Sequence, residues 1–129
     1  MIKKNNFDKN IIVESLKIKE VIKILQKLPD KFCLVINNNK QFIGTVTDGD
    51  IRRGLLKNYN LKDRVEKIYN KKAFYTKKKI SQIQIDNLLN MKKIAFFPLL
   101  DKRNRIKKVH MSSEHKEVMC LDNYLMIMA

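Results

Sequence analysis

Glycine is scarce, with three in 129 residues. A glycine-rich phosphate loop, whose backbone N–H groups must crowd around an anion, is therefore excluded. Cysteine is rarer still, at two. Cys33 stands inside an apolar run, where a thiol behaves as a small buried hydrophobe, and Cys120 lies far from it, so neither a disulfide nor a metal site is expected. His110, in a strand-like stretch, has no partner at ligand spacing and is expected to be structural. No Ser/His/acid or Cys/His set is present either, so no enzyme activity is expected of this chain by itself. No apolar run approaches the roughly 20 residues that span a bilayer, and the start, Met1-Ile-Lys-Lys-Asn-Asn, lacks the apolar stretch of a secretory signal. A soluble, cytoplasmic protein is the expectation.

Acidic residues are also few: 13 against 28 lysines and arginines, a formal charge of +15. Fields of that size attract nucleic acid, acidic membrane surfaces or phosphorylated ligands. The lysines, however, are spread over nearly every segment and mixed with asparagine and isoleucine. They form no single basic helix and no basic pattern interleaved with stacking aromatics, so nucleic acid is the less favoured partner.

Against this background residues 42–53, Phe-Ile-Gly-Thr-Val-Thr-Asp-Gly-Asp-Ile-Arg-Arg, stand out. They join the end of an apolar strand to a helix start. Unpaired N–H groups and partial positive charge at that start suit a phosphate, and Thr47 adds a hydroxyl donor. Asp50, one turn on, offers two acceptor oxygens and suits the diol of a sugar. Asp48 is placed as the helix N-cap. Asp48 and Asp50 together could instead share a magnesium ion, although such sites normally need further acids or substrate phosphates. Arg52 and Arg53 can reach phosphates, but adjacent helical residues point about 100° apart, so at most one faces the ligand. Of Phe74, Tyr75, Phe96 and Phe97, one is expected near a base and the rest in the core.

The chain also repeats itself. Ile18, Val21, Ile22 and Leu25 fall at helical spacing and predict a helix over 16–28, followed by strands at Phe32–Ile36 and 41–46 around an asparagine-rich turn. Ile80, Ile83 and Leu88 begin a second stripe, with strands at Phe96–Leu100 and 105–111. Gly44 maps onto Lys108 (108 − 44 = 64), whereas the helices align at 62 (80 − 18), a two-residue difference. A half of three short strands and two helices exposes one apolar sheet face and is marginal alone. Two halves packed sheet to sheet solve this and create two clefts near a pseudo-twofold axis, each flanked by a helix start.

Over residues 9–116 this tandem resembles a CBS-domain pair, or Bateman module. Gly44-Thr-Val-Thr47-Asp-Gly-Asp50 is similar to that family's signature of glycine, two strand residues, threonine or serine, two variable residues and aspartate. The resemblance implies an α/β (α+β) fold of tandem CBS repeats: two small mixed sheets with flanking helices about a pseudo-twofold axis. It implies a first repeat over 1–61 and a second over 62–116. It also implies that Thr47 and Asp50 contact the phosphate and ribose of an adenine nucleotide (AMP, ADP or ATP, with no cofactor required), that Gly44 allows close backbone approach, and that Ile94, Ala95 and Phe96 wall the purine. Lys108, Met111 and Glu114 replace the signature residues in the second copy, so one competent site at most is expected. The phrase Thr47-Asp-Gly-Asp-Ile-Arg-Arg resembles CBS pairs attached to sugar-phosphate nucleotidyltransferases, and 117–129 resembles the linker and first strand of such an enzyme. The resemblance thus implies a regulatory, nucleotide-sensing fragment that modulates an attached transferase and pairs through its helices as a homodimer. A ligand-free dimerisation module is the alternative.

Overall fold

A computed structural model describes residues 7–112, from a 3₁₀ turn at Asp8–Asn10 to the end of the last strand. After β1 (Ile11–Val13) comes α1 (Ile18–Lys27), which buries Ile18, Val21 and Leu25 on one face. The Glu20 side chain accepts the Lys17 N–H at 3.2 Å and closes the first turn. Pro29 forces the preceding residue out of the helical region, and Leu28 is extended at ψ 133°. Lys31 then reaches back, its Nζ donating to the carbonyls of Leu25 and Gln26 in the last turn.

The chain continues through β2 (Phe32–Ile36), β3 (Phe42–Thr47) and α2 (Asp48–Leu56). β2 is the middle strand, parallel to β1 and antiparallel to β3. The second half supplies α3 (Gln82–Lys92) and the antiparallel pair β4 (Phe96–Leu100) and β5 (Ile106–Met111). Expected boundaries agree with these to within a residue or two.

The two halves match in register, and the helices match with them. Phe32 pairs with Thr47 as Phe96 pairs with Met111, and the bulge between Val35 and Ile36 recurs between Leu99 and Leu100. In the two hairpin turns Asn37 Oδ1 accepts from the N–H of Asn39 and Gln41, and Asp101 Oδ1 from those of Arg103 and Arg105. Lys40 and Asn104 both take positive φ, 63° and 66°. The two backbone bonds on Asp101, that from Arg105 foremost, hold its carboxyl below the usual carboxylate range. α1 and α3 start at Ile18 and Gln82 (82 − 18 = 64), so the 62-residue helix offset expected from the sequence is corrected to 64. The true counterpart of Ile18 is polar: Gln82 spends its amide on the Met111 carbonyl at 3.0 Å and on Asp86 at 3.1 Å. Ile83, part of the expected apolar stripe, is 74% exposed, and Ile85 and Leu89 are buried instead.

One strand is reduced. The counterpart of Ile12, which pairs with Val35, is Thr76, joined to Leu99 by a single parallel bridge. Lys77, Lys78 and Lys79 follow it, and consecutive lysines have no buried face to alternate into.

Strand alternation decides which core each side chain enters. From β2, Cys33 and Val35 pack against α1, while Phe32 and Leu34 face the second half. From β4, Phe97 packs with Ile85 and Leu89 of α3, beside the ring of buried His110, whereas Phe96 and Leu100 join Phe32, Leu34 and Val109 between the sheets. Burial pushes the Cys33 thiol up to about 12. At the centre the rings of Phe32 and Phe96, equivalent residues of the two halves, stack with centroids 3.8 Å apart. Gln41 and Arg105, also equivalent, form a bridge to each other. These two self-pairings mark the pseudo-twofold axis. Among the described residues no helix is long and apolar enough to cross a membrane.

Residues 63–70 return along the first half. Ile18 N–H donates to Asp63 O, Val65 N–H to Leu16 O, and Thr45 and Asn70 exchange both backbone bonds. Gly44 lies under this return. A Cβ there would stand 2.4 Å from the Asn70 carbonyl oxygen and 2.6 Å from the Tyr69 ring. The close approach that Gly44 permits is therefore by its own chain. Gly44→Ala should lower stability by about 1–3 kcal/mol, because a backbone oxygen rather than a flexible side-chain end must move. Urea denaturation measures this, and an unchanged midpoint would contradict the packing described.

Candidate functional site

The site is built around the corner between β3 and α2. Thr47, the last residue of β3, is the N-cap of α2, so the expectation that Asp48 caps the helix is corrected. Asp48 is the first helical residue and is exposed, and its carboxylate still lies favourably in the first turn. Asp50, at the third position, turns its carboxylate back. Oδ2 accepts the Thr47 N–H at 3.0 Å and the Thr47 hydroxyl at 3.2 Å. Oδ1 accepts Arg53 Nη2 at 2.7 Å. The guanidinium lies beside Gly49, with Nη1 3.3 Å from where a Cβ on that residue would stand. A threonine and an aspartate three residues apart thus meet because the capping geometry of one helix demands it.

This corner forms one side of an open cleft of about 890 Å³. Thr45, Thr47, Asp50 and Arg53 line it from the first half. Asn70, Lys72, Ala73, Phe74 and Tyr75 line it from the connecting segment, and Met91 to Phe96 from the second half. Lys93 makes the last wall by taking a left-handed conformation, φ 55°, which ends α3 and turns the chain into Ile94 and Ala95.

Five of the six residues singled out in the sequence, Thr47, Asp50, Ile94, Ala95 and Phe96, therefore line one cavity, although 44 positions (94 − 50) separate Asp50 from Ile94. Gly44 does not line it. Of the two arginines, Arg53 faces the cleft while Arg52 lines a hollow on the other side of α2 with Ile22, Ile51, Leu55 and Leu56. Phe97 is buried in the core, and Phe96 has one ring face taken by Phe32. Tyr75, 46% exposed, is the freer aromatic in the cleft. Lys72, Asn70 and Lys92 had no local signal in the sequence. Arg53 had one, since it follows Asp50 at the i,i+3 spacing of helical ion pairs.

The charge balance of the cleft is one-sided. Arg53, Lys72, Lys92 and Lys93 stand against the single carboxylate of Asp50. Lys92 lies over the ring of Phe74, 4.6 Å from its centroid. Such a cavity favours a ligand that is anionic at one end and flat and apolar elsewhere. Among the described residues no group of three His, Cys, Asp or Glu side chains could hold a metal ion. Of the second copy, Lys108 and Met111 lie on β5, the latter buried; Glu114 and residues 117–129 lie outside the described residues.

No protein-family model matches the sequence, and no curated protein matches it. Solved structures do. A CBS-domain pair in complex with 5′-methylthioadenosine and S-adenosyl-L-methionine is 18% identical, with TM-score 0.70 over 87% of this chain and 88% of that one. A CBS domain protein from Pyrobaculum aerophilum complexed with AMP is 16% identical, with TM-score 0.65 over 78% of each. The cytosolic domain of the Mg²⁺ channel MgtE in complex with ATP is 17% identical, with TM-score 0.67; 84% of this chain covers 44% of that one. The fold is that of a CBS-domain pair, α+β with two small sheets.

The Asp50 carboxylate has a measurable structural duty apart from any ligand. Asp50→Ala should cost about 1 kcal/mol, the order of a capping interaction, because it removes the acceptor that closes the capping box from the third helical position. The midpoint of thermal unfolding without ligand checks this. No change would mean that Thr47 and Asp50 do not hold the corner together.

Proposed function

We propose that this chain is a regulatory nucleotide-sensing module that takes an adenine nucleotide, AMP, ADP or ATP, in the cleft between its two halves. What carries the proposal is the convergence of Thr47 and Asp50 from one half with Ile94, Ala95 and Phe96 from the other on one cationic cavity. The phosphate lies at the start of α2, beside the N–H groups of the first turn and within reach of the Thr47 hydroxyl. Asp50 takes the ribose hydroxyls, and the purine rests among Ile94, Ala95, the free side of Phe96 and Tyr75. Gly44 contributes indirectly, by letting Asn70 close over β3. The ligands named for the structural neighbours, ATP, AMP and methylthioadenosine with S-adenosylmethionine, all carry adenosine and support the choice of base.

Regulation requires a second arrangement of the pair that binds the ligand differently. The attached domain that feels the change would be a sugar-phosphate nucleotidyltransferase reached through 117–129, with 1–61 and 62–116 as the two sensing repeats and the whole in the cytoplasm. A homodimer through the helices is supported by one observation. Leu55 and Leu56, 40% and 77% exposed, line with Ile22 and Ile51 of α1 and α2 a hollow of about 380 Å³ that Asp48 and Arg52 border. The same observation favours the second reading, a dimerisation module that needs no ligand.

Calorimetric titration of the chain with AMP, ADP, ATP and their guanine counterparts separates the two. Adenine nucleotides should bind to the wild type, and Asp50→Asn, which keeps an acceptor in the corner, should bind them at least about tenfold more weakly through loss of charge-assisted bonds. Equal binding by both proteins would refute the assignment of Asp50. No binding, with dimers by light scattering, would favour the second reading.

A further inference from the structure

The two groups assigned to the nucleotide bond each other. The single proton of the Thr47 hydroxyl goes to Asp50 Oδ2, which also takes the Thr47 N–H, so both lone pairs of that oxygen are used. Oδ1 holds Arg53 at 2.7 Å. One lone pair therefore remains on the whole carboxylate, and a sugar diol needs two.

Arg53 is also an odd neighbour for this end of α2. Its guanidinium lies back beside Gly49 in the first turn, where the helix dipole disfavours a cation. The partner that keeps it there is Asp50, and the side chain of Arg53 is 66% exposed against 12% for Asp50. With the guanidinium mostly in solvent, the pair is cheap to open from the arginine side, while the carboxylate keeps its bonds to Thr47. Beyond it lies a second hollow of about 400 Å³, which Asp50 and Arg53 share with the cleft and which Lys57, Lys71 and Lys72 border. The guanidinium thus has open room to turn, and the lysines around it draw an anion rather than the arginine itself.

On the reading given above, we infer that Arg53 and Asp50 form a latch operated by the ligand's phosphate. A phosphate arriving at the start of α2 takes the guanidinium in a bidentate contact and takes the Thr47 hydroxyl proton as well. Both bonds are withdrawn from Asp50. One lone pair on each oxygen is freed, and the ribose diol fills them. Phosphate and sugar recognition are then coupled rather than additive, and the site rejects nucleosides more strongly than the missing phosphate contacts alone require. By reciprocity, occupation of the sugar position strengthens phosphate binding by the same factor.

The coupling has a distinctive sign. Calorimetry with adenosine and AMP, as separate probes, is run on wild type, Arg53→Ala and Arg53→Gln. Both substitutions alter an exposed side chain, and unfolding midpoints close to wild type confirm the fold. Removing Arg53 should tighten adenosine roughly two- to fivefold, since the exposed ion pair no longer competes for Asp50, while weakening AMP at least about tenfold. In wild type, inorganic phosphate at constant ionic strength should tighten adenosine, and in Arg53→Ala the effect should shrink to what the Thr47 hydroxyl alone supplies; an equal effect in both proteins would overturn the role of Arg53. If both variants weaken AMP and leave adenosine unchanged, Arg53 is an additive phosphate ligand and the latch is wrong while the site stands. If wild type binds neither adenosine nor AMP, the site reading falls and the latch with it.

Discussion

The stacked rings of Phe32 and Phe96 set the arrangement on which everything else depends. Each half has a small sheet with one face against its own helices and one face bare, and neither face can be left in water. Phe32 and Leu34 point off the bare face of one sheet, and Phe96 and Leu100 off that of the other. A 3.8 Å stack between equivalent residues places the pseudo-twofold axis, and the Gln41 and Arg105 bridge fixes it at a second point. An aromatic pair is worth only about 0.5–1.5 kcal/mol beyond its buried area. Its larger consequence is geometric. Once Phe96 is pinned there, Ile94 and Ala95 just before it are held opposite the β3 to α2 corner, and the cleft exists.

The corner sets one residue pair in a structural role, and the proposed recognition would use the same pair. Thr47 ends a strand and caps a helix, and Asp50 returns to close the cap. These are the groups that a phosphate and a diol would use, and here they satisfy one another. Leaving a half-buried carboxylate without partners costs free energy, and the bonds from Thr47 and Arg53 hold the corner in shape. Gly44 has a supporting part in the same region. By admitting Tyr69 and Asn70 against β3 it brings Asn70 to the edge of the cleft, a role different from direct approach to a ligand.

Much of this was legible in the residues. The apolar run at Phe32–Ile36, the asparagine-rich turn and the Thr47-to-Asp50 spacing act locally, and the structure shows the strand, the turn and the corner where these signals put them. The repeat was legible too, but its helix offset was misread. Apolar spacing at Ile80 and Ile83 imitated a buried stripe, whereas the equivalent of Ile18 is Gln82, which is accommodated by bonding the Met111 carbonyl. The Asp48 cap was misplaced by one residue because aspartate and threonine both cap well, and only the position of the last ladder pair, Phe32 with Thr47, decides between them. Asn70, Lys72 and Lys92 reach the cleft through tertiary packing and leave no pattern in a single sequence.

The central claim is that one ligand touches both halves of the chain at once. Backbone amide spectra of the labelled chain titrated with AMP test it most directly. The account predicts shifts that saturate together at residues 45–53, 70–75 and 91–96 and spare the lysines of the hairpin turns. Shifts spread over surface lysines, with the amides of Thr47 and Asp50 unmoved, would contradict it.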